Sequence, residues 1–374
     1  MLTHWRRRHA NASRDYTALG LTAAPWQKTR MATLAASIIP APIARTRPRV
    51  IAAWLLVVAA MVFAMVVVGG ITRLTESGLS ITRWDVVSGT LPPMTDTDWA
   101  DQFEAYRLSS QYQLLNNGMN INEFKGIFFW EYVHRLLGRL IGVAFALPLL
   151  WFWVRGVIPR GYKPRLFALL MLGGLQGTIG WWMVSSGLVG RTEVAHERLA
   201  VHLVTALCIM AGCIWTALDL LHTKAVDTAR PRRWVIPFAV LLTIQIIWGA
   251  FVAGMRAGHA SDTWPLMFGR LVPPELVTSV RDLIDNPVTV HFLHRSLAYI
   301  VAAAAILIAI RLWRAGAGVR SFALGAAVVA QFGLGVATVL SGVAIPLGVA
   351  HQATGALLVA ATVWAAHWSM QRPR

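Results

Sequence analysis

The sequence predicts an all-α polytopic membrane protein: eight transmembrane helices, arranged as two parallel four-helix repeats, with both termini cytoplasmic. Three observations predict it. Of 374 residues, 56% are hydrophobic and only 14% charged, and the mean hydropathy is +0.55, a balance typical of polytopic membrane chains. Eight apolar runs are long enough to cross a hydrocarbon core of about 30 Å, which takes roughly 20 residues. The two halves also resemble each other.

The runs lie near residues 50–71, 136–154, 166–184, 199–221, 234–253, 288–310, 322–343 and 349–368. Backbone groups in lipid must pair within their own segment, so each run is a helix. Lys and Arg set the sidedness. The stretch before residue 50 holds nine of them against one acid, Asp15, and 155–165 holds four against none. The 222–233 linker, the connection with Arg311, Arg314 and Arg320, and the C-terminal Arg372 and Arg374 fall on the same side. Glu76, Asp85, Asp96, Asp98, Asp101, Glu104 and Glu123 all lie in the first loop of the other side. The net charge of +17 therefore reports topology and contact with anionic membrane lipid, and excludes a nucleic-acid partner.

Four segments follow: a basic extension over 1–49, expected to be disordered; a first repeat over 50–221; a cytoplasmic linker over 222–233; and a second repeat over 234–370. The extension is Arg- and Ala-rich, which fits a bacterial cytoplasmic tail or a mitochondrial transit peptide. Cys208 and Cys213, five apart in the fourth run, do not share a helix face and are expected to be buried structural thiols.

The repeat is visible in detail. Gly70-Ile-Thr-Arg73, Trp84 and Pro92-Pro93 are echoed by Gly249 through Arg256, Trp264 and Pro273-Pro274. Gln176, Gly180 and Ser186-Gly187 recur at identical spacing as Gln331, Gly335 and Ser341-Gly342. Four spans per unit make the repeats parallel. Even-numbered helices then run inward, and their histidines sit at the outer side.

Those histidines carry the chemistry. Glu131-Tyr-Val-His134-Arg135-Leu-Leu-Gly138 returns as His291-Phe-Leu-His294-Arg295-Ser-Leu-Ala298, and two helices after each comes another histidine, His202 and His351. Two imidazoles at one depth on two helices of a bundle fill both axial positions of a heme iron. The spacing pairs His134 with His202 and His294 with His351. Arg135 and Arg295, with Arg73, Arg198 and Arg256 at outer helix ends, are placed to meet heme propionates. Gly138, Ala298, Gly177, Gly180 and Gly335 thin the helices, as a flat macrocycle or ordinary small-residue packing requires. A di-iron site, suggested by Glu131-x-x-His134, lacks the further carboxylates it needs.

The copies differ where the first has Glu131 and the second His291. A carboxylate beside a heme face is costly to keep and able to handle protons. The loop preceding His134 is also about twenty residues longer than that preceding His294. Both differences point to chemistry in the first half and electron transfer or structure in the second.

The motifs from Gly69 through Trp84-Asp85, from Glu123 through Trp130 to His134-Arg135, Arg198-Leu-Ala-Val-His202, His294-Arg295 and His351-Gln-Ala-Thr-Gly-Ala356 resemble the heme A synthase family, over nearly all of 50–368. An outer-loop cysteine pair found in some bacterial relatives is absent, as in the mitochondrial and proteobacterial subtype. The resemblance implies oxidation of a heme O methyl to a formyl group, giving heme A for cytochrome oxidase assembly. It implies heme O or heme A between His134 and His202, heme b between His294 and His351, and a role for Glu131 in the oxidation. It also implies a bacterial inner-membrane location with the sites periplasmic (a mitochondrial inner membrane is the alternative), heme O handed over by a heme O synthase, and an unidentified electron donor. A homo-oligomer is compatible with this reading. The competing reading is a di-heme b-type membrane cytochrome that relays electrons without modifying heme. His196, just before Arg198, is expected in the outer loop and not as a ligand.

Overall fold

A computed structural model of the chain describes residues 46–84, 88–221, 232–274, 276 and 279–370. The expectations for most of the N-terminal extension, for nearly all of the linker, and for Asp85, Arg372 and Arg374 lie outside these residues. Among the described residues the regular elements are helices, two short 3-10 turns and one isolated bridge between Met267 and Arg270. Among the described residues eight helices are long and apolar enough to cross a membrane: α1 (Pro48–Leu74), α4 (Ile121–Val154), α5 (Lys163–Ser185), α6 (His196–Leu221), α7 (Arg232–Gly254), α9 (Pro287–Arg314), α10 (Gly318–Leu340) and α11 (Ile345–Met370). Short helices α2 (Asp96–Arg107), α3 (Ser110–Leu114) and α8 (Asp282–Asp285) lie in the long connections.

Helix starts follow local chemistry. α1, α5 and α9 carry proline in the first turn, where its missing N–H costs nothing. α4 opens on a capping box: Asn120 Oδ1 accepts from the amides of Asn122 and Glu123, and Glu123 Oε2 accepts from the Asn120 amide. The box starts the helix at Ile121, fifteen residues before the apolar run. His134 is therefore not at the helix start, as the hydropathy run implied, but roughly 20 Å along it at 1.5 Å per residue.

The additional turns of α4 are held by the first long loop. Trp99 and Phe103 from α2 and Tyr112 from α3 pack with Tyr106, Phe124 and Phe128 in an aromatic cluster. Thr95 and Asp98 form a second capping box, whose amide donors hold the Asp98 carboxyl below the usual range. Tyr106 is fully buried and donates to Gln111 Oε1 at 3.1 Å, and Gln111 Nε2 donates to the Glu76 carbonyl at 3.0 Å. Burial raises the Tyr106 phenol pKa.

In the membrane region α1, α6, α7 and α11 are central: α1 packs on α6 and α11, α7 on α6 and α11, and α6 meets α11. α4 lies against α1 and α5, and α9 against α7 and α10. One apolar core joins Leu55 and Val58 of α1 to Phe145 and Phe152 of α4, Leu166 of α5 and Met210 of α6. A second joins Leu242 of α7, Ala305 and Leu312 of α9, Leu324 of α10 and Leu358 of α11. Residues such as Val57, Leu147, Leu150, Phe322 and Val329 are exposed and form the surface that lipid covers. Cys213 is buried as expected, whereas Cys208 is exposed.

Polar contacts join the halves. Gln352 of α11 donates to the Val66 carbonyl of α1 at 2.7 Å, and a Cβ on Gly70 would meet the Gln352 amide at 2.9 Å. At the end of α1, Arg73 donates to the Ala253 and Gly254 carbonyls of α7 at 3.0 and 3.1 Å.

Candidate functional site

The four histidines meet in the expected pairs. His134 of α4 faces His202 of α6 with ring centres 6.5 Å apart, and His294 of α9 faces His351 of α11 at 6.4 Å. A metal–imidazole bond is about 2 Å and the ring centre lies about 1.1 Å further on, so the ring centres of two imidazoles bound to opposite sides of one iron would stand about 6.2 Å apart. Both pairs fit one heme iron.

Each imidazole lies against a glycine of the preceding membrane helix. A Cβ on Gly69, Gly180, Gly249 or Gly335 would lie 3.4, 3.0, 2.9 and 2.9 Å from the rings of His134, His202, His294 and His351 respectively. Gly177, expected to thin the same site, faces nothing within 4 Å, and a Cβ on Gly138 would meet Met65 instead. Gly335→Ala is accordingly expected to turn His351 out of line and lower second-half heme content several-fold, while Gly333→Ala, which would meet nothing within 4 Å, leaves it unchanged. Heme-to-protein ratios of the purified variants check this pair.

Glutamines orient three of the rings. Gln176 Nε2 is 3.2 Å from His202 Nδ1 and donates to the His202 carbonyl at 3.0 Å. Gln245 repeats both contacts with His294, at 3.1 and 3.0 Å. Gln331 Nε2 is 3.3 Å from His351 Nε2, and His351 Nδ1 is 3.1 Å from the Gln331 carbonyl. The Oε1 atoms of all three amides are buried without a hydrogen bond. An imidazole that binds iron through Nε2 carries its proton on Nδ1 and needs an acceptor there. For His202 and His294 a half-turn of the amide would supply it, since amide O and N exchange places, at the expense of the bond to the histidine carbonyl; for His351 the Gln331 main-chain carbonyl already does. These orphaned oxygens make the sites chemically suited to ligated histidines.

Beside the first pair, Glu131 is only 2% exposed. One carboxylate oxygen accepts from Ser80 Oγ at 2.7 Å and the Ile81 amide at 2.8 Å. The other accepts from Arg135 Nη2 at 2.7 Å and Nε at 3.1 Å. Arg135 also donates to the Ile81 and Arg83 carbonyls at 2.8 and 3.0 Å and lies under the Trp84 ring. Glu131 and Arg135 thus clamp the segment after α1 onto α4. Arg295 makes the parallel clamp with the Thr263, Pro265 and Leu266 carbonyls. Among the described residues it has no carboxylate partner: His291, in the equivalent place, is 2% exposed with Nδ1 unpaired there, and Arg295 Nη1 is buried and likewise unpaired.

Three arginines expected at propionates are engaged elsewhere. Glu193 binds Arg73 at 2.7 Å and also pairs with Arg256, which binds Glu76 at 2.8 Å. Arg198 donates to the Trp182 carbonyl at 2.7 Å and stacks on that ring. His196 is not a loop residue but the buried first residue of α6, edge-on to Phe251, with Nε2 3.5 Å from Asp285 Oδ1. Sequence reading missed Gly69, the role of Gln245 and the Glu193 cluster; the Gln-x-x-x-Gly phrase was a signal for Gln245, whereas Gly69, preceded by Met65, lacks it.

An eight-helix membrane bundle with two bis-histidine cradles defines a heme-handling integral membrane protein. The chain belongs to the COX15-CtaA family of cytochrome oxidase assembly proteins, whose model matches residues 52–363. It is 50% identical over 332 residues to the heme A synthase of Rhodospirillum centenum, covering 86% of this chain and 88% of that one. To the heme A synthase of Novosphingobium aromaticivorans it is 48% identical over 344 residues, 88% and 98% of the two chains. To that of Erythrobacter litoralis it is 50% identical over 331 residues, 85% and 96%.

Proposed function

We propose that this chain is a heme A synthase of the bacterial inner membrane, oxidising the methyl group of heme O to a formyl group. The observation that carries the reading is two equally spaced histidine pairs in unequal surroundings, one beside a buried Glu131–Arg135 pair and one beside His291. Heme O is the substrate between His134 and His202. Heme b, held between His294 and His351, supplies one-electron chemistry when bound.

The chain's own residues position and shield. Gln176 and Gln245 set the tautomer and plane of His202 and His294. Arg135 and Arg295 fold the outer segments over the two pairs, and the unpaired Arg295 Nη1 suits a propionate. Glu131 handles protons during the oxidation: its Ser80 partner is a hydroxyl that both donates and accepts, so a proton passes without breaking the Arg135 pair. The alternating basic segments support a topology with both termini in the cytoplasm and the sites on the periplasmic side of parallel repeats. Heme O arrives from a heme O synthase; dioxygen is the oxidant, and each of two successive hydroxylations takes one dioxygen, two protons and two electrons from a donor outside the chain and releases water, the resulting gem-diol losing water to give the formyl group.

Pyridine hemochrome spectra and heme extraction of the purified protein test this. Heme b together with heme O, heme A or a hydroxylated intermediate is expected. Heme b alone under every growth condition would favour a di-heme cytochrome that only relays electrons.

A further inference from the structure

Three helices that back a histidine carry one phrase, Gln176 to Gly180, Gln245 to Gly249 and Gln331 to Gly335, with the glutamine four residues before the glycine. In each the glycine lies under the imidazole; Gln176 and Gln245 reach Nδ1 of their histidines through the side-chain amide, whereas Nδ1 of His351 meets the main-chain carbonyl of Gln331. α1 keeps the glycine, Gly69, against His134 but has Met65 in the glutamine's place. Met65 is turned to Gly138, one turn along α4. A thioether donates nothing and accepts weakly, and among the described residues no group makes a hydrogen bond to His134.

We infer that Met65 makes His134 the exchangeable axial ligand, so that the heme in the first half opens on the α4 side while His202, His294 and His351 stay fixed. The inference rests on the proposed function for the heme in that half. An outer partner fixes the ring and strengthens its nitrogen as a ligand, and losing one typically weakens metal binding by roughly 10- to 100-fold. His134 is the one ligand of four that lacks it. The face that opens is on the helix carrying Glu131, three residues away and on the same side, whereas the second half, with Nδ1 of both His294 and His351 partnered, stays closed as an electron carrier must.

Carbon monoxide, which binds a ferrous heme only when an axial position opens, is the probe, applied to the full-length protein in detergent with both halves loaded. The unmodified protein is expected to bind carbon monoxide at one heme per chain. Met65→Gln should slow that binding roughly 10- to 100-fold, and Gln245→Met should create carbon monoxide binding at the second-half heme. Unchanged binding in Met65→Gln, or binding at neither heme of the unmodified protein, overturns the inference. Heme content measured on the same samples separates the cases: a first half that never takes heme overturns the proposed function beneath it. The Gln245→Met arm tests the glutamine rule at the heme b site alone, and a heme that remains closed there counts against it.

Discussion

A Glu131→Gln protein is expected to keep both hemes and to form heme A roughly 100-fold more slowly, the lower range for loss of a proton-transfer group. Glutamine has nearly the shape of glutamate, so the packing around this 2%-exposed side chain persists. It cannot satisfy four donors. One end now presents its own N–H groups to either Arg135 or the Ile81 amide, and the negative charge opposite Arg135 is gone. Slowing could therefore come from proton handling or from a loosened 80–83 segment, and Arg135→Lys separates them. Lysine keeps the charge but not the fork that reaches the Ile81 and Arg83 carbonyls. If the clamp is what matters, both variants slow alike; the expected result is that Arg135→Lys stays within about tenfold of the unmodified rate. Heme A formation at the normal rate in Glu131→Gln, with both hemes present, would remove the carboxylate from the chemistry.

The features legible in the sequence are those set by one segment at a time. Hydropathy and length located all eight membrane helices, and the duplicated His-Arg phrase pointed to both histidine pairs, because depth in the membrane is fixed by position along each helix. α4 ran longer than predicted because residues 121–135 mix Asn122, Glu123, Lys125, Glu131 and Arg135 with aromatic residues and fall below membrane hydropathy. The signal for its true start was present as the Asn120 and Glu123 capping box. The glutamine partners were half legible: Gln176 and Gln331 stood out, while Gln245 and its absence at Met65 emerge only once each helix is set behind its histidine. The roles of Arg73 and Arg256 were beyond reach, since the carboxylates that take them up, Glu76 and Glu193, come from segments far apart in the chain. Charge near a membrane surface predicts that a partner exists, not which one.

That carboxylate cluster supports a second large effect, on stability. Glu193 lies between Arg73 and Arg256, with side-chain exposures of 21%, 17% and 36%, so it separates two cations that would otherwise face each other. Removing one member of a fully buried ion pair costs about 3–5 kcal/mol, and the partial exposure of this group brings the expectation for Glu193→Gln nearer to about 2 kcal/mol. Arg73 keeps its bonds to the Ala253 and Gly254 carbonyls, so α1 stays docked on α7 while the charge on Arg73 loses its balance. Scanning fluorimetry of the heme-loaded protein should show an apparent melting temperature lower by roughly 5 °C, with heme content unchanged because no histidine ligand touches the cluster. Pairing Glu193→Gln with Arg256→Gln should recover part of the loss, since one of the two opposed cations is then gone. A double variant that melts lower by the full sum of the two single losses would mean that Glu193 and Arg256 are not coupled, and that the ends of α1 and α7 are joined by the Arg73 carbonyl bonds alone.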